Sequence, residues 1–204
     1  MPAKNRIKIY VPEAFYHVYN RGLDKQLIFI DNTDYSVFLS LFKRYLANET
    51  VKDPSRRTYE KLANEVELLA YCLIPNHFHL LIYQIDSMGM PKLVQRVLTS
   101  YSMYFNKKYK RTGPLFQDTY RASQISSDEY LQHVSRYIHL NPKNWRHWDF
   151  SSLRYYQGSQ KADWINVSRV LRIFRNNKEY LEFVADYEDY KRSIDEIKYE
   201  LADH

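Results

Sequence analysis

In the segment His77-Phe78-His79, two histidines flank one large apolar residue at the start of an apolar run that ends at Tyr83. On an extended strand, side chains at i and i+2 point to the same face. His77 and His79 would then present two imidazoles to one point, with Phe78 turned the other way into a core. Two convergent imidazoles are half of a divalent-metal site. Further along, His133, Tyr137 and Asn141 recur four residues apart. In a helix such residues share a face. Asn141 offers an amide oxygen, a suitable third ligand for a hard ion. Tyr137 offers a phenol, a weak nucleophile that needs activation or a strongly electrophilic phosphate. Each alone has an ordinary role: Tyr137 as a core-edge aromatic, Asn141 as a helix stop before Pro142. Together with His77 and His79 they make a chemically complete site.

The elements that must position these groups can be read from periodicity. Phe15 to Asn20 alternates as a first strand, closed by Arg21-Gly22. Asp31 to Asp34 offers N-cap residues for a helix whose apolar face is Val37, Phe38, Leu41, Phe42 and Tyr45. Residues 48–57 read as a loop, and 57–65 as a short helical turn. Val66 to Ile74 is a second strand, Pro75-Asn76 a turn, and His77 to Tyr83 a third strand. A second helix follows Pro91, with Leu93, Val94, Val97, Leu98, Tyr101, Tyr104 and Phe105 at helical spacing. It ends in the basic run Lys107, Lys108, Lys110, Arg111 before Gly113-Pro114. Leu115 to Ser126 is read as a fourth strand. Ser127-Asp128 caps a third helix that ends at Asn141-Pro142. Trp164 to Phe174 and Lys178 to Leu201 are read as two C-terminal helices, with Leu181, Val184, Tyr187, Ile194 and Ile197 on the buried side of the last. The order β-α-β-β-α-β followed by helices predicts an α+β fold: a ferredoxin-like antiparallel sheet with helices packed on it.

The charge distribution points to a polyanion. Residues 179–204 hold nine acidic and three basic side chains, whereas residues 1–178 hold 27 basic and 15 acidic ones. A strongly basic body suggests nucleic acid, and 20 tyrosines add faces on which unpaired bases can stack, although most will fill a core and its rim. Only four glycines are present, and none forms a phosphate-cradling loop, so no nucleotide cofactor is expected. The single cysteine, Cys72, makes no intrachain disulfide and lies in a predicted strand. No apolar run approaches a membrane span and no apolar stretch follows the first residues. The expectation is a cytoplasmic protein with no membrane partner.

Four segments carry a family resemblance: Tyr16-His17-Val18-Tyr19-Asn20-Arg21-Gly22, Pro75-Asn76-His77-Phe78-His79, Gly113-Pro114-Leu115-Phe116-Gln117, and Arg136-Tyr137-Ile138-His139-Leu140-Asn141-Pro142. In this order and spacing they resemble the single-tyrosine HUH transposases, most closely the REP-associated tyrosine branch. The resemblance covers residues 15 to about 160. It implies a transposase domain over 1–160, with 161–204 as an acidic, helical C-terminal extension. Asp118-Thr119-Tyr120-Arg121 departs from the family's usual Gly-Arg-Tyr, and Lys143-Asn144-Trp145 from its usual Val-Arg-Ala. The implied activity is strand transfer on single-stranded or hairpin DNA. His77, His79 and Asn141 would hold Mg²⁺ or Mn²⁺, and Tyr137 would form a 5′-phosphotyrosine with release of a 3′-OH. Because the covalent bond keeps the phosphodiester energy, rejoining needs no ATP. The basic residues expected to border the site and contact phosphates are Arg21, Lys107, Lys108, Lys110, Arg111, Arg121 and Arg136. Both monomeric and homodimeric relatives exist, so Tyr137 could act in its own chain or a partner's site.

Three other readings compete. A domesticated relative would bind DNA hairpins without cutting them, although it would be free to lose the four site residues kept here. An RNA-binding ferredoxin-like domain would need aromatics grouped on its sheet, and these are scattered. A structural zinc site would draw on a further histidine, but zinc prefers nitrogen and sulfur ligands in a tetrahedron.

Overall fold

The computed structural model describes residues 10–49 and 58–186. Its regular elements are β1 (Ala14–Arg21), α1 (Asn32–Leu46), β2 (Val66–Ile74), β3 (His77–Gln84), α2 (Gly89–Lys108), β4 (Arg121–Ile125), α3 (Asp128–Leu140), α4 (Leu153–Tyr156), α5 (Ser168–Leu171) and α6 (Asn177–Ala185). The strands form one antiparallel sheet in the order β2-β3-β1-β4, the ferredoxin-like arrangement.

Alternation along the strands divides the core in two. Tyr16, Val18, Phe78, Leu80 and Ile82 point to one face, where α1 and α2 cover them with Phe38, Leu41, Phe42, Leu93, Val97 and Tyr101. Leu69, Ala70, Cys72 and Leu81 point to the other face, against Leu131, Val134 and Ile138 of α3 and Tyr156, Tyr180 and Val184 of α4 and α6. A register shift between Leu68 and Ala70 accommodates one extra residue in β2. α1 starts with a reciprocal capping box between Asp31 and Asp34, and α3 with Ser127 accepting from the Tyr130 amide.

Several boundaries differ from the sequence expectation, each for a local reason. The fourth strand is limited to Arg121–Ile125, because the Asn20 amide captures the carbonyls of Asp118 and Thr119 at 2.9 Å each and holds that stretch out of the ladder. Within residues 58–65 the expected turn is confined to the end, where the Glu65 and Val66 amides both donate to Leu62 O at 2.9 and 3.0 Å. There Leu62 donates its amide to Tyr45 O at 2.9 Å and the chain turns into β2. Only Ser168–Leu171 is helical within 164–174. Trp164 is instead buried against Tyr71, with ring centroids 5.8 Å apart, and the Asn166 amide donates to Leu68 O. α4 was not anticipated. The last expected helix is seen as Asn177–Ala185; the rest of it, including Tyr187, Ile194, Ile197 and most of the acidic segment, lies outside the described residues.

Candidate active site

The α3-facing side of the sheet carries a row of side chains, one from each strand. In register, Cys72 of β2 sits opposite His79 of β3, His79 opposite Tyr19 of β1, and Tyr19 opposite Arg121 of β4. The next row toward the sheet end pairs Ile74 with His77 and His77 with Arg21. Strand periodicity thus brings His77 and His79 to one face, with ring centroids 5.1 Å apart and planes at 87°, while Phe78 is buried in the opposite core.

From above, α3 delivers Tyr137. Its ring stands edge-on to His79 (centroids 5.2 Å, 84°) and to His17 (5.9 Å, 77°). One turn later, at the C-cap of the same helix, comes Asn141. His77, His79 and Tyr137 edge a cleft of about 400 Å³ that also takes in Tyr19, Asn20, Arg21, Lys25, Asn76, Gln117, Asp118 and Arg121.

Burial sets the electrostatics. It pushes His77 down to about 4, helped by the positive charge of Arg21 and opposed by the Asn141 side chain. His79 is held well below the usual histidine range, again by burial first, then by its neighbours His17 and His77. Both imidazoles are therefore neutral near pH 7, as ligands must be. Burial also raises the Tyr19 phenol, and the adjacent Arg121 guanidinium opposes it.

Two of the buried polar atoms that meet no hydrogen-bond partner lie here: His79 Nε2 and Asn141 Oδ1. Buried acceptors left unpaired are costly unless a ligand supplies the partner. His77 Nδ1 is bonded to Asn76 Oδ1 at 2.8 Å, and His79 Nδ1 to His17 Nε2 at 2.9 Å. In His79 the other nitrogen, Nε2, is left for a ligand, while the His77 imidazole also meets the Asn141 side chain. Two neutral imidazoles and an orphaned amide oxygen fit a divalent cation. Among the described residues no three His, Cys, Asp or Glu side chains gather to hold a metal, so the zinc arrangement with a third histidine has no counterpart there.

The basic residues separate into two groups. Arg21 and Arg121 line the cleft; the Arg21 guanidinium bonds Gln117 Oε1, and Arg121 lies 4.0 Å from the Asp118 carboxylate. The α2 run does not line it. Lys107 and Lys110 are exposed at the helix end, and Lys108 is committed to Asp31 and Asp34 at 2.7 and 2.8 Å. Arg111 donates to Gln26 Oε1 at 3.0 Å. Arg136 must be corrected outright. It is fully buried, its guanidinium 4.1 Å from the Phe183 ring and bonded to Phe183 O and His133 Nδ1, so it ties α3 to α6 and reaches no phosphate. Its position one residue before Tyr137 turns it about 100° away from the cleft.

Sequence reasoning passed over Lys25, Tyr19, Asn20 and His17. Tyr19 and His17 share a strand face with Arg21 at i+2 spacing, a signal that was available. Lys25 was not, because it enters the cleft through a turn in which Asp24 and Lys25 both adopt left-handed backbone (φ 52° and 61°). That turn is tied to the β2–β3 turn by the Gly22 amide, which donates to Asn76 O at 2.9 Å; a Cβ on Gly22 would stand 2.2 Å from Gln26 O.

Comparison with known proteins fits this geometry. The family model described as "Transposase IS200 like" matches residues 35–141, more than half of the chain. The chain belongs to the IS200-like transposase family. The matched stretch ends on Asn141 and includes His77, His79 and Tyr137. Among solved structures, the transposase is similar to a REP-associated tyrosine transposase bound to a REP hairpin, at 15% identity and a TM-score of 0.55. That match covers 82% of this chain and 94% of the other, and it shows a shared fold. None of the curated proteins compared matches the sequence. No described helix is long and apolar enough to cross a membrane.

Proposed function

We propose that this transposase is a metal-dependent endonuclease and strand transferase acting on single-stranded or hairpin DNA, the HUH chemistry, with Tyr137 as nucleophile. The observation that carries the reading is the contact of Tyr137 with His79 beside two orphaned buried atoms, His79 Nε2 and Asn141 Oδ1. His77, His79 and Asn141 would hold Mg²⁺ or Mn²⁺, which when bound supplies Lewis-acid polarisation of the scissile phosphate.

The chain's own residues do the rest. Arg21, Lys25 and Arg121 bring positive charge to one cleft and bind the DNA backbone around the scissile phosphate. Tyr19, half-buried on the cleft floor, offers a face to an unpaired base. Tyr137 Oη attacks phosphorus in line: the O–P bond forms, the phenol loses its proton, the bond to the 3′ oxygen breaks, and that oxygen takes up a proton. The product is a 5′-phosphotyrosine and a free 3′-OH, and reversal onto another 3′-OH rejoins a strand without ATP. The hairpin held by the structural relative makes a hairpin the first substrate to try.

The test is a denaturing gel of end-labelled hairpin and single-stranded oligonucleotides incubated with the protein and Mn²⁺. A covalent protein–DNA band lost in Tyr137→Phe is expected. Hairpin binding with no adduct in either Mg²⁺ or Mn²⁺ would instead leave a non-cleaving hairpin-binding protein.

A further inference from the structure

His17 is buried on β1, makes no contact that a substrate could use, and yet touches both halves of the proposed chemistry. Its Nε2 lies 2.9 Å from His79 Nδ1, and its ring stands edge-on to Tyr137 with centroids 5.9 Å apart. We infer that His17 is a positioning residue that keeps the proton of His79 on Nδ1 and so reserves His79 Nε2 for the metal. The inference rests on the metal reading of the cleft and deepens it.

The argument follows from proton counting. A neutral imidazole has one N–H and one lone pair, on different nitrogens. For His79 to ligate through its orphaned Nε2, its proton must sit on Nδ1, which faces His17 Nε2. His17 must then accept, which places its own proton on Nδ1. His77 is keyed in the parallel way, because an amide oxygen accepts and Asn76 Oδ1 lies 2.8 Å from His77 Nδ1. Each ligand histidine thus presents Nε2 because an acceptor stands behind its Nδ1. The two acceptors differ in kind: an amide oxygen at the cleft edge for His77, a buried imidazole for His79. The same His17 ring also borders Tyr137, so the orientation of the ligand and the seat of the nucleophile share one support.

Two variants separate this role from simple packing. In His17→Gln the side-chain carbonyl can still accept from His79 Nδ1–H; in His17→Leu nothing can. Mn²⁺ affinity is read by electron paramagnetic resonance titration of free Mn²⁺, with His79→Ala as the ligand control and circular dichroism confirming the fold. His17→Leu is expected to bind Mn²⁺ about ten- to a hundredfold more weakly, the range seen when the hydrogen-bond partner behind a ligand histidine is lost, with His17→Gln recovering most of the loss. Equal weakening in both, or parental affinity in His17→Leu, would overturn the role of His17 alone. No Mn²⁺ binding by the parent protein, or binding unchanged in His79→Ala, would overturn the metal reading itself. If His17→Leu does not fold, ¹⁵N spectra of histidine-labelled parent protein without added metal decide. A proton on His79 Nδ1 supports the inference, and one on Nε2 overturns it.

Discussion

Tyr137 meets His79 edge-on, with ring centroids 5.2 Å apart and planes at 84°. A helix and a strand far apart in sequence thus set a phenol beside an imidazole whose outer nitrogen has no partner. Removing only the phenol oxygen should separate binding from chemistry. In Tyr137→Phe the ring and its packing remain, so hairpin affinity should stay within about 0.5 kcal/mol of the parent, with no covalent adduct. Fluorescence anisotropy and a denaturing gel measure the two. An adduct persisting in the variant would require another tyrosine as nucleophile.

Ligand variants test the other side of the contact. His77→Ala and Asn141→Ala should each abolish adduct formation and weaken Mn²⁺ binding while leaving hairpin affinity without metal nearly unchanged. Calorimetric Mn²⁺ titration checks this, and a variant that still forms adduct at the parental rate would remove that residue from the site.

The division among basic residues predicts a difference in salt dependence. Neutralising Arg21, Lys25 and Arg121 should flatten the slope of log affinity against log salt by about 0.7 per lost phosphate contact on single strands, or about 0.9 on duplex. Lys108→Ala should leave the slope alone and lower the melting temperature, since Asp34, buried beneath it, loses its cation. Arg136→Leu should cost about 2 kcal/mol or more, because a desolvated guanidinium over Phe183 is lost. It too should leave the salt slope unchanged. Affinity measured from 50 to 300 mM salt, roughly, spans the useful range.

Stability should fall in mild acid. Burial lowers the His139 pKa to about 3, and the ring is hydrogen-bonded to Tyr180 Oη (2.6 Å) and Ser152 Oγ (2.8 Å). Above pH 6.5 neither state binds the proton and the group has no effect. As pH falls below 6.5 the unfolded chain takes up a proton that the folded one refuses, so stability is lost progressively down to about pH 3. Between pH 7.5 and 5 this one histidine should remove about 2 kcal/mol. Urea unfolding at the two pH values measures the drop, and His139→Gln should reduce it.

Much of this was legible in the sequence because it rests on local periodicity. The i, i+2 spacing of His77 and His79 put both imidazoles on one face, and the i, i+4 spacing of Tyr137 and Asn141 put both over it. β2 was readable to the residue, from Val66 to Ile74. What could not be read depends on contacts between distant segments. Arg136 looked like a phosphate ligand because it is basic and next to Tyr137, but its environment is made by Phe183 of α6. The stretch before Arg121 looked like strand, but Asn20, about a hundred residues earlier, bonds its carbonyls instead. Lys108 looked free until Asp31 and Asp34 were brought to it across α1 and α2.

Tyr137 and Asn141 ride on one helix, the latter at its C-cap. The spacing between the proposed nucleophile and the proposed metal ligand is therefore a helical rise of about 6 Å, set by backbone geometry rather than by any side-chain contact. Such an arrangement works as a ruler. It forgives changes at Ile138, His139 or Leu140 so long as their volume and bonding are matched, but it does not forgive a change in count. One residue inserted between Tyr137 and Asn141 would swing the amide about 100° around the axis and carry it about 1.5 Å along it. Deleting one would swing it back by the same angle. In a lineage of such proteins, the four-residue interval should outlast the identity of the residues inside it.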